Sequence, residues 1–208
     1  MIHWRLNQRS VNQMKTLKKI GLGLLGLVVV LAVVGMLLPR HVHVERSLTM
    51  QAPPAVVFEQ VNTLQNWEAW SPWHKLDPNM QLTYAGPAAG AGASYSWLSQ
   101  MSEVGNGTLR ILHAIPHSRI DTEMVFDDNG KGQASYFFTS TPQGTKVTWT
   151  MDTDLGLNPV GRYVGLFIEG WVGQDYERGL RNLQQVVEGN SEAKQLTANS
   201  QQKASATN

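Results

Sequence analysis

The segment KVTWTMDTDLGLNPVGRYVGLFIEGWVGQDYERGLRNLQQVVE, residues 146–188, joins a short alternating run to a long helical one. In its first part Val147, Trp149 and Met151 alternate with polar residues, which is typical of a strand with one covered face. Pro159 marks the start of a helix whose apolar residues recur at spacings of three and four. These residues are Val164, Ile168, Val172, Tyr176, Leu180, Leu183 and Val187. The segment therefore predicts a strand followed by a long helix.

The chain before this segment is mostly strand-like. An alternating run covers 41–52, and two prolines then introduce a helix over 55–67. Strand-like runs separated by Gly, Pro, Asn and Asp turns follow at 80–84, 93–98, 107–115, 119–126, 133–140 and 146–153. This order predicts an α+β helix-grip fold, in which a curved antiparallel sheet wraps around a long C-terminal helix.

Glycines interrupt the closing helix at Gly161, Gly165, Gly170, Gly173 and Gly179. Each glycine costs a helix about 1 kcal/mol relative to alanine. The glycines therefore predict either a partner that packs very close to this helix or a bend over a cavity.

A run without charged, amide or hydroxyl side chains, IGLGLLGLVVVLAVVGMLL, covers residues 20–38. As a helix it is roughly 28 Å long, close to the ~30 Å hydrocarbon layer of a bilayer. It has no polar face, which argues against a buried core helix. A cleaved signal peptide is the main alternative, but the run is long for one and no small-x-small cleavage motif follows. We therefore predict an uncleaved transmembrane helix that precedes the helix-grip domain.

Flanking charges predict the orientation of this helix. Five Lys or Arg residues precede it, whereas only Arg40 and Arg46 closely follow it. By the positive-inside rule, residues 1–19 are predicted to be cytoplasmic, and the rest of the chain to lie on the periplasmic side of a bacterial inner membrane. Residues 39–44 are predicted to form a short tether, and residues 45–188 one domain.

Composition restricts the classes of partner. Between residues 39 and 188, ten Lys or Arg stand against fifteen Asp or Glu, a net charge of −5 that disfavours binding to nucleic acid. The chain has no cysteine, which excludes disulfides, thiol nucleophiles and thiolate metal sites. No metal and no cofactor is predicted. The tail 189–208 is rich in small and polar residues and is predicted to be disordered.

Four short motifs stand out along the predicted domain. The first helix opens with PPAVVF at 53–58, and the turn WEAWSPW follows at 67–73. GASYSW at 92–97 and GTKVTW at 144–149 begin two strands. With these motifs, the segment from about 45 to 188 resembles the SRPBCC superfamily of START domains and birch-pollen-allergen-like proteins, and most closely its polyketide cyclase/dehydrase and lipid transport branch. The resemblance implies an apolar cavity between sheet and helix, but no particular reaction.

Aromatic residues are abundant, and the resemblance implies that several line this cavity. The residues predicted to line it are Trp70, Trp73, Tyr95, Trp97, Tyr136, Phe138, Trp149, Met151, Val164, Phe167, Ile168 and Trp171. For each ring, packing in the core is the alternative. The turn 67–73 is predicted to close one end of the grip, with a role at a pocket entrance as the second interpretation.

Acid–base candidates are sparse. His113 alternates with Leu109 and Ile111, and Glu169 lies among apolar residues of the closing helix, so these two are the weak catalytic candidates. A core or solvated histidine and a solvated glutamate are the ordinary alternatives. His74 is predicted to be solvated.

These features favour a binding module for a lipid or another hydrophobic small molecule, anchored in the bilayer through residues 20–38. No Gly-x-Ser-x-Gly elbow, His-Glu-x-x-His motif or phosphate-binding glycine loop is present. A cyclase, aromatase or dehydratase acting on a hydrophobic substrate is one alternative. A non-catalytic assembly or interaction protein of the membrane is the other.

Overall fold

The computed structural model describes the backbone of residues 2–127 and 130–205 and the side chains of residues 17–127 and 130–189. The predicted cytoplasmic segment and the predicted polar tail therefore lie largely outside the described side chains.

The helices and strands follow the predicted order, and two short helices occupy the predicted turn 67–73 and the residues just after it. The helices are α1 (Ile2–Leu37), α2 (Pro54–Asn62), α3 (Trp67–Trp70), α4 (Pro72–Leu76) and α5 (Pro159–Ser205). The strands are β1 (His41–Met50), β2 (Gln81–Ala85), β3 (Ser94–Leu98), β4 (Gly107–Ile115), β5 (Arg119–Phe126), β6 (Gly130–Thr141) and β7 (Gly144–Asp154). These elements form two compact units, the first made of residues 1–40 and 154–167, the second of residues 41–153 and 168–208.

The second unit contains a seven-stranded sheet in the order β1-β7-β6-β5-β4-β3-β2. Neighbouring strands from β2 to β7 pair antiparallel, and β6 pairs with β7 so that Tyr136 lies opposite Trp149. Val147, Trp149 and Met151 are buried, as their alternation predicts. The predicted helix-grip architecture, a curved antiparallel sheet with a long C-terminal helix, is confirmed.

The part of α5 within the second unit packs through one face. Its buried side chains are Tyr176, Leu180, Leu183 and Val187. Two of its glycines allow close approach: a Cβ at Gly179 would lie 2.8 Å from the Trp149 ring, and one at Gly173 would overlap the Arg46 guanidinium. Nothing lies within 4 Å of a Cβ built at Gly170. Close packing therefore accounts for two of the glycines that the sequence singled out.

The first unit contains α1 and the beginning of α5. Residues Leu17–Leu37 of α1 are long and apolar enough to cross a membrane, and almost all of their side chains are uncovered by protein. The helix itself begins at Ile2, well before the predicted span, and the connection to β1 is only Leu38–Arg40. At the other end of the chain, α5 continues to Ser205, into the predicted disordered tail, whose Ala, Glu, Lys and Gln residues favour helix.

Candidate functional site

Aromatic rings pack against one another between the sheet and α5 in the second unit. Trp149 of β7 stacks on Tyr176 of α5, with ring centroids 3.7 Å apart and planes 12° apart. Tyr136 of β6 stacks with the same indole at 4.8 Å, and Trp70 of α3 meets it edge-on at 5.9 Å. All four rings are buried. Such contacts stabilise the packing beyond the area that they bury.

The tryptophan-rich turn is held against α2. The Trp67 indole donates to the carbonyl of Val61 at 2.9 Å, and the Trp70 indole donates to the carbonyl of Gln60 at 3.1 Å. These carbonyls lie in the last turn of α2, where helix carbonyls lack intrahelical partners. The turn therefore places its first two rings in the core with both N–H groups satisfied.

Other buried polar atoms lack hydrogen-bond partners. Among the described residues they are Nε1 of Trp149, the phenol oxygen of Tyr176, both ring nitrogens of His74, Oγ of Ser71 and Oδ1 of Asn62. A buried polar atom without a partner costs about 1–3 kcal/mol, so native proteins retain few of them. Two of these atoms, Nε1 of Trp149 and the phenol oxygen of Tyr176, belong to the same ring stack.

Three tyrosine hydroxyls lie in this interior. Burial raises the pKa of Tyr95, Tyr136 and Tyr176 above its usual value, and the two neighbouring phenols raise the pKa of Tyr136 further. The Trp149 indole opposes part of the rise at Tyr176, although the two groups do not meet the geometry of a hydrogen bond. The three hydroxyls therefore stay neutral and able to donate hydrogen bonds near pH 7.

His74 lies on α4 and is buried, so the prediction that it is solvated is wrong. Its ring meets Tyr95 edge-on at 5.9 Å. Burial lowers its pKa, an effect that Glu68 only partly opposes, and the imidazole is therefore neutral near pH 7. The signal in the sequence was its position directly after the buried tryptophan turn.

The sequence profile of one protein family matches residues 41–188, and that family is described as polyketide cyclase/dehydrase and lipid transport. The chain belongs to this family. The match covers the helix-grip domain and stops short of α1 and the polar tail.

Solved structures share the fold of this family member. A protein of unknown function from Staphylococcus aureus is 11% identical, with a TM-score of 0.57 over 73% of this chain and 96% of that one. An uncharacterised protein from Rhizobium leguminosarum is 19% identical, with a TM-score of 0.54 over 71% and 95%. Ara h 8.0201 is 15% identical, with a TM-score of 0.52 over 72% and 99%. At these identities the likeness shows the fold alone. No curated protein matches the chain significantly.

The residues predicted to line the cavity fall into two groups in this family member. Those that the structure buries are Trp70, Tyr95, Trp97, Tyr136, Phe138, Trp149 and Met151, with Trp73 and Ile168 half-buried. The others, Val164, Phe167 and Trp171, are 46%, 57% and 60% exposed on α5. Helical spacing groups these three on one side of α5, but spacing alone does not say which side meets the sheet. The cavity lining itself stays a prediction.

The two weak catalytic candidates lie on the surface. The His113 side chain is mostly exposed, with Nδ1 3.5 Å from an Asp121 oxygen. Glu169 accepts a hydrogen bond from the Arg46 guanidinium at 2.8 Å, and Arg46 also donates to Glu177 at 2.9 Å. Neither side chain therefore lies in the buried aromatic interior. Among the residues whose side chains are described, no three His, Asp or Glu are grouped to hold a metal ion.

Proposed function

We propose that this family member is a membrane-anchored binding module that holds a lipid or another hydrophobic small molecule between the sheet and α5. One observation carries the proposal: the buried aromatic interior between the sheet and α5 includes an indole N–H on Trp149 and a phenol on Tyr176 that lack hydrogen-bond partners. Apolar walls with a few polar groups are typical of sites for hydrophobic ligands. A carbonyl or hydroxyl of the ligand would bond to these two groups.

The second part of the proposal is the membrane anchor formed by α1. The uncovered apolar side chains of Leu17–Leu37 suit the interior of a bilayer, and the excess of positive charge before them favours a cytoplasmic N-terminus. The binding domain would then lie on the periplasmic side of a bacterial inner membrane. Because only Leu38–Arg40 separate α1 from β1, the domain stays close to the lipid surface.

The test is ligand capture by the full chain. The protein, purified in mild detergent and delipidated, is offered fatty acids, phospholipids and isoprenoids, with nucleotides as the polar control, and bound compounds are detected by native mass spectrometry. We expect retention of at least one hydrophobic compound and of no nucleotide. Failure to retain any hydrophobic compound would overturn the proposal.

A non-catalytic assembly protein is the second candidate, and the ring packing itself favours it. The Trp149 ring already has Tyr176 at 3.7 Å and Tyr136 at 4.8 Å, so the protein's own side chains occupy much of the interior. For this candidate the ligand panel gives no binding, and chemical crosslinking in native membranes yields a specific protein neighbour.

An enzyme that acts on a hydrophobic substrate is the third candidate. The observation in its favour is the buried, neutral His74 beside the Tyr95 ring, a base next to a possible proton donor. If captured compounds are chemically converted, H74F should stop the conversion while leaving capture intact. Conversion that H74F leaves unchanged would exclude His74 from the chemistry.

A further inference from the structure

The segment that leads into α5 is unusually apolar on its surface. Between Leu155 and Phe167 the sequence is LGLNPVGRYVGLF, with Arg162 as its only charged residue. Leu157, Val160, Val164 and Leu166 are 71%, 69%, 46% and 54% exposed. Four uncovered aliphatic side chains within ten residues form a patch of the kind that marks a protein or membrane contact. We call residues 157–166 the entry segment.

The entry segment is held against the last turns of α1 within the first unit. Gly35 is buried at this crossing, where an added Cβ would lie 2.7 Å from Cβ of Pro159 and 2.9 Å from the Tyr163 ring. The Tyr163 hydroxyl donates to the carbonyl of Leu31 at 2.9 Å. These contacts reach into the apolar stretch Leu17–Leu37, so they lie at membrane depth if that stretch spans the bilayer.

The one charge of the entry segment is withdrawn from the surface. Arg162 is only 7% exposed, and its guanidinium donates to the carbonyls of Met36 at 2.5 Å and Leu38 at 3.3 Å. It also donates twice to the carbonyl of Gly156, at 2.8 and 3.0 Å. The last carbonyls of a helix have no intrahelical partner and carry negative partial charge. In a bilayer such carbonyls need protein partners, because lipid tails provide none.

We propose that the entry segment is a second lipid-contacting element, which lies in the outer boundary of the bilayer with Leu157, Val160, Val164 and Leu166 against lipid. The proposal rests on the proposed span of α1 and goes beyond it. A bilayer is the occupant that the contacts favour, because the patch is continuous with the uncovered apolar surface of α1 through the Gly35 crossing. The charged guanidinium of Arg162 is buried against carbonyls of the protein, so it does not oppose contact of the four aliphatic side chains with lipid.

The absence of cysteine allows single labels to be placed in the full chain. A small fluorophore is attached to each of three single-cysteine variants, V160C, V164C and L166C, and each labelled protein is inserted into vesicles of phosphatidylethanolamine and phosphatidylglycerol. V28C provides a label within the span, and K146C provides an exposed polar control. We measure quenching by nitroxide groups on the lipid tails and by iodide in water. Because all three test positions are exposed, the labels should leave the packing unchanged.

We expect the three test labels to be quenched by the lipid nitroxides as V28C is, and severalfold less by iodide than K146C. Quenching by iodide equal to that of K146C would overturn the proposal, because the patch would then face water. Protection from both quenchers would also overturn it, because a protein surface would then cover the patch. If V28C is not quenched from the lipid, the proposed span fails as well, which separates the two hypotheses.

Discussion

The indole of Trp149 and the phenol ring of Tyr176 stack with centroids 3.7 Å apart, which joins the last strand of the sheet to the closing helix. Both rings are buried, and the polar atom of each lacks a hydrogen-bond partner. Stacking stabilises the fold, whereas an unpartnered buried polar atom costs free energy that a hydrogen-bond partner would recover. This pair therefore lets packing and binding be tested separately.

Tyr176→Phe should leave the free energy of unfolding unchanged or raise it slightly, because the hydroxyl that it removes has no partner. The same change should weaken capture of a hydrophobic ligand about 2–10-fold, the value of one lost hydrogen bond. Tyr176→Ala should lower the free energy of unfolding by about 3–5 kcal/mol.

The matched control is Tyr84→Phe, which removes a hydroxyl that donates to Glu68 at 3.0 Å. Denaturant unfolding and native mass spectrometry provide the two measurements. If Tyr176→Phe destabilised the domain while leaving capture intact, the phenol would be a structural group and not a ligand contact.

Substitution by alanine at two glycines of α5 should change the stability of the domain in opposite directions. Gly179→Ala places a Cβ 2.8 Å from the Trp149 ring and 3.1 Å from Pro72, so it should destabilise the domain by about 1–3 kcal/mol. Gly170→Ala meets nothing within 4 Å and should stabilise the helix by about 0.5–1 kcal/mol. Thermal melts of both variants test this, and equal effects would mean that the packing at Gly179 is not close.

His74 should make the domain sensitive to acid. Its folded pKa is lowered by burial, so the unfolded chain binds more protons once the pH falls below about 6.5. The contribution of neutral His74 is fully present above that pH and is lost as the pH falls toward the folded pKa. His74→Phe should abolish this part of the loss when denaturant unfolding is compared at neutral and mildly acidic pH.

His113→Phe is the control for the acid effect, because that side chain is exposed.

His43 changes the stability with pH in the opposite direction. Its hydrogen bond to Asp152 raises its pKa, so the stabilisation from protonated His43 is lost as the pH rises through the pKa of the folded state. Both partners of that pair are exposed, so the effect should stay below about 0.5 kcal/mol. If H74F lost as much stability at mildly acidic pH as the native chain, groups other than His74 would cause that loss.

Arg162→Gln should weaken the first unit, because a neutral amide cannot replace the bonds to Met36, Leu38 and Gly156. We expect a loss of about 2–3 kcal/mol, typical of hydrogen bonds to a charged group, and a lower Tm in detergent micelles. Arg110→Gln, at an exposed position of β4, should leave Tm unchanged. Equal Tm values for the two variants would exclude a capping role for Arg162.

Much of the fold could be predicted from local patterns. The alternation of Val147, Trp149 and Met151 indicates which side of β7 is covered, and the turn residues separate the strands. The apolar run 20–38 is recognisable because its length and composition can be read from the sequence without any knowledge of tertiary contacts. Among the candidate site residues, burial is easier to predict for the strand aromatics than for those of α5. Side chains of a strand alternate between only two faces, whereas those of a helix point in all directions.

The sequence by itself determined the order of the elements, the apolar N-terminal helix and the aromatic side of the sheet, because these follow from periodicity and composition. Only the tertiary structure decided that His74 is buried, that Val164, Phe167 and Trp171 are exposed, and that Arg162 caps α1. Each of these depends on contacts between residues far apart in the chain. Local spacing reveals which residues share a face, but the partner of that face is set by how the elements pack.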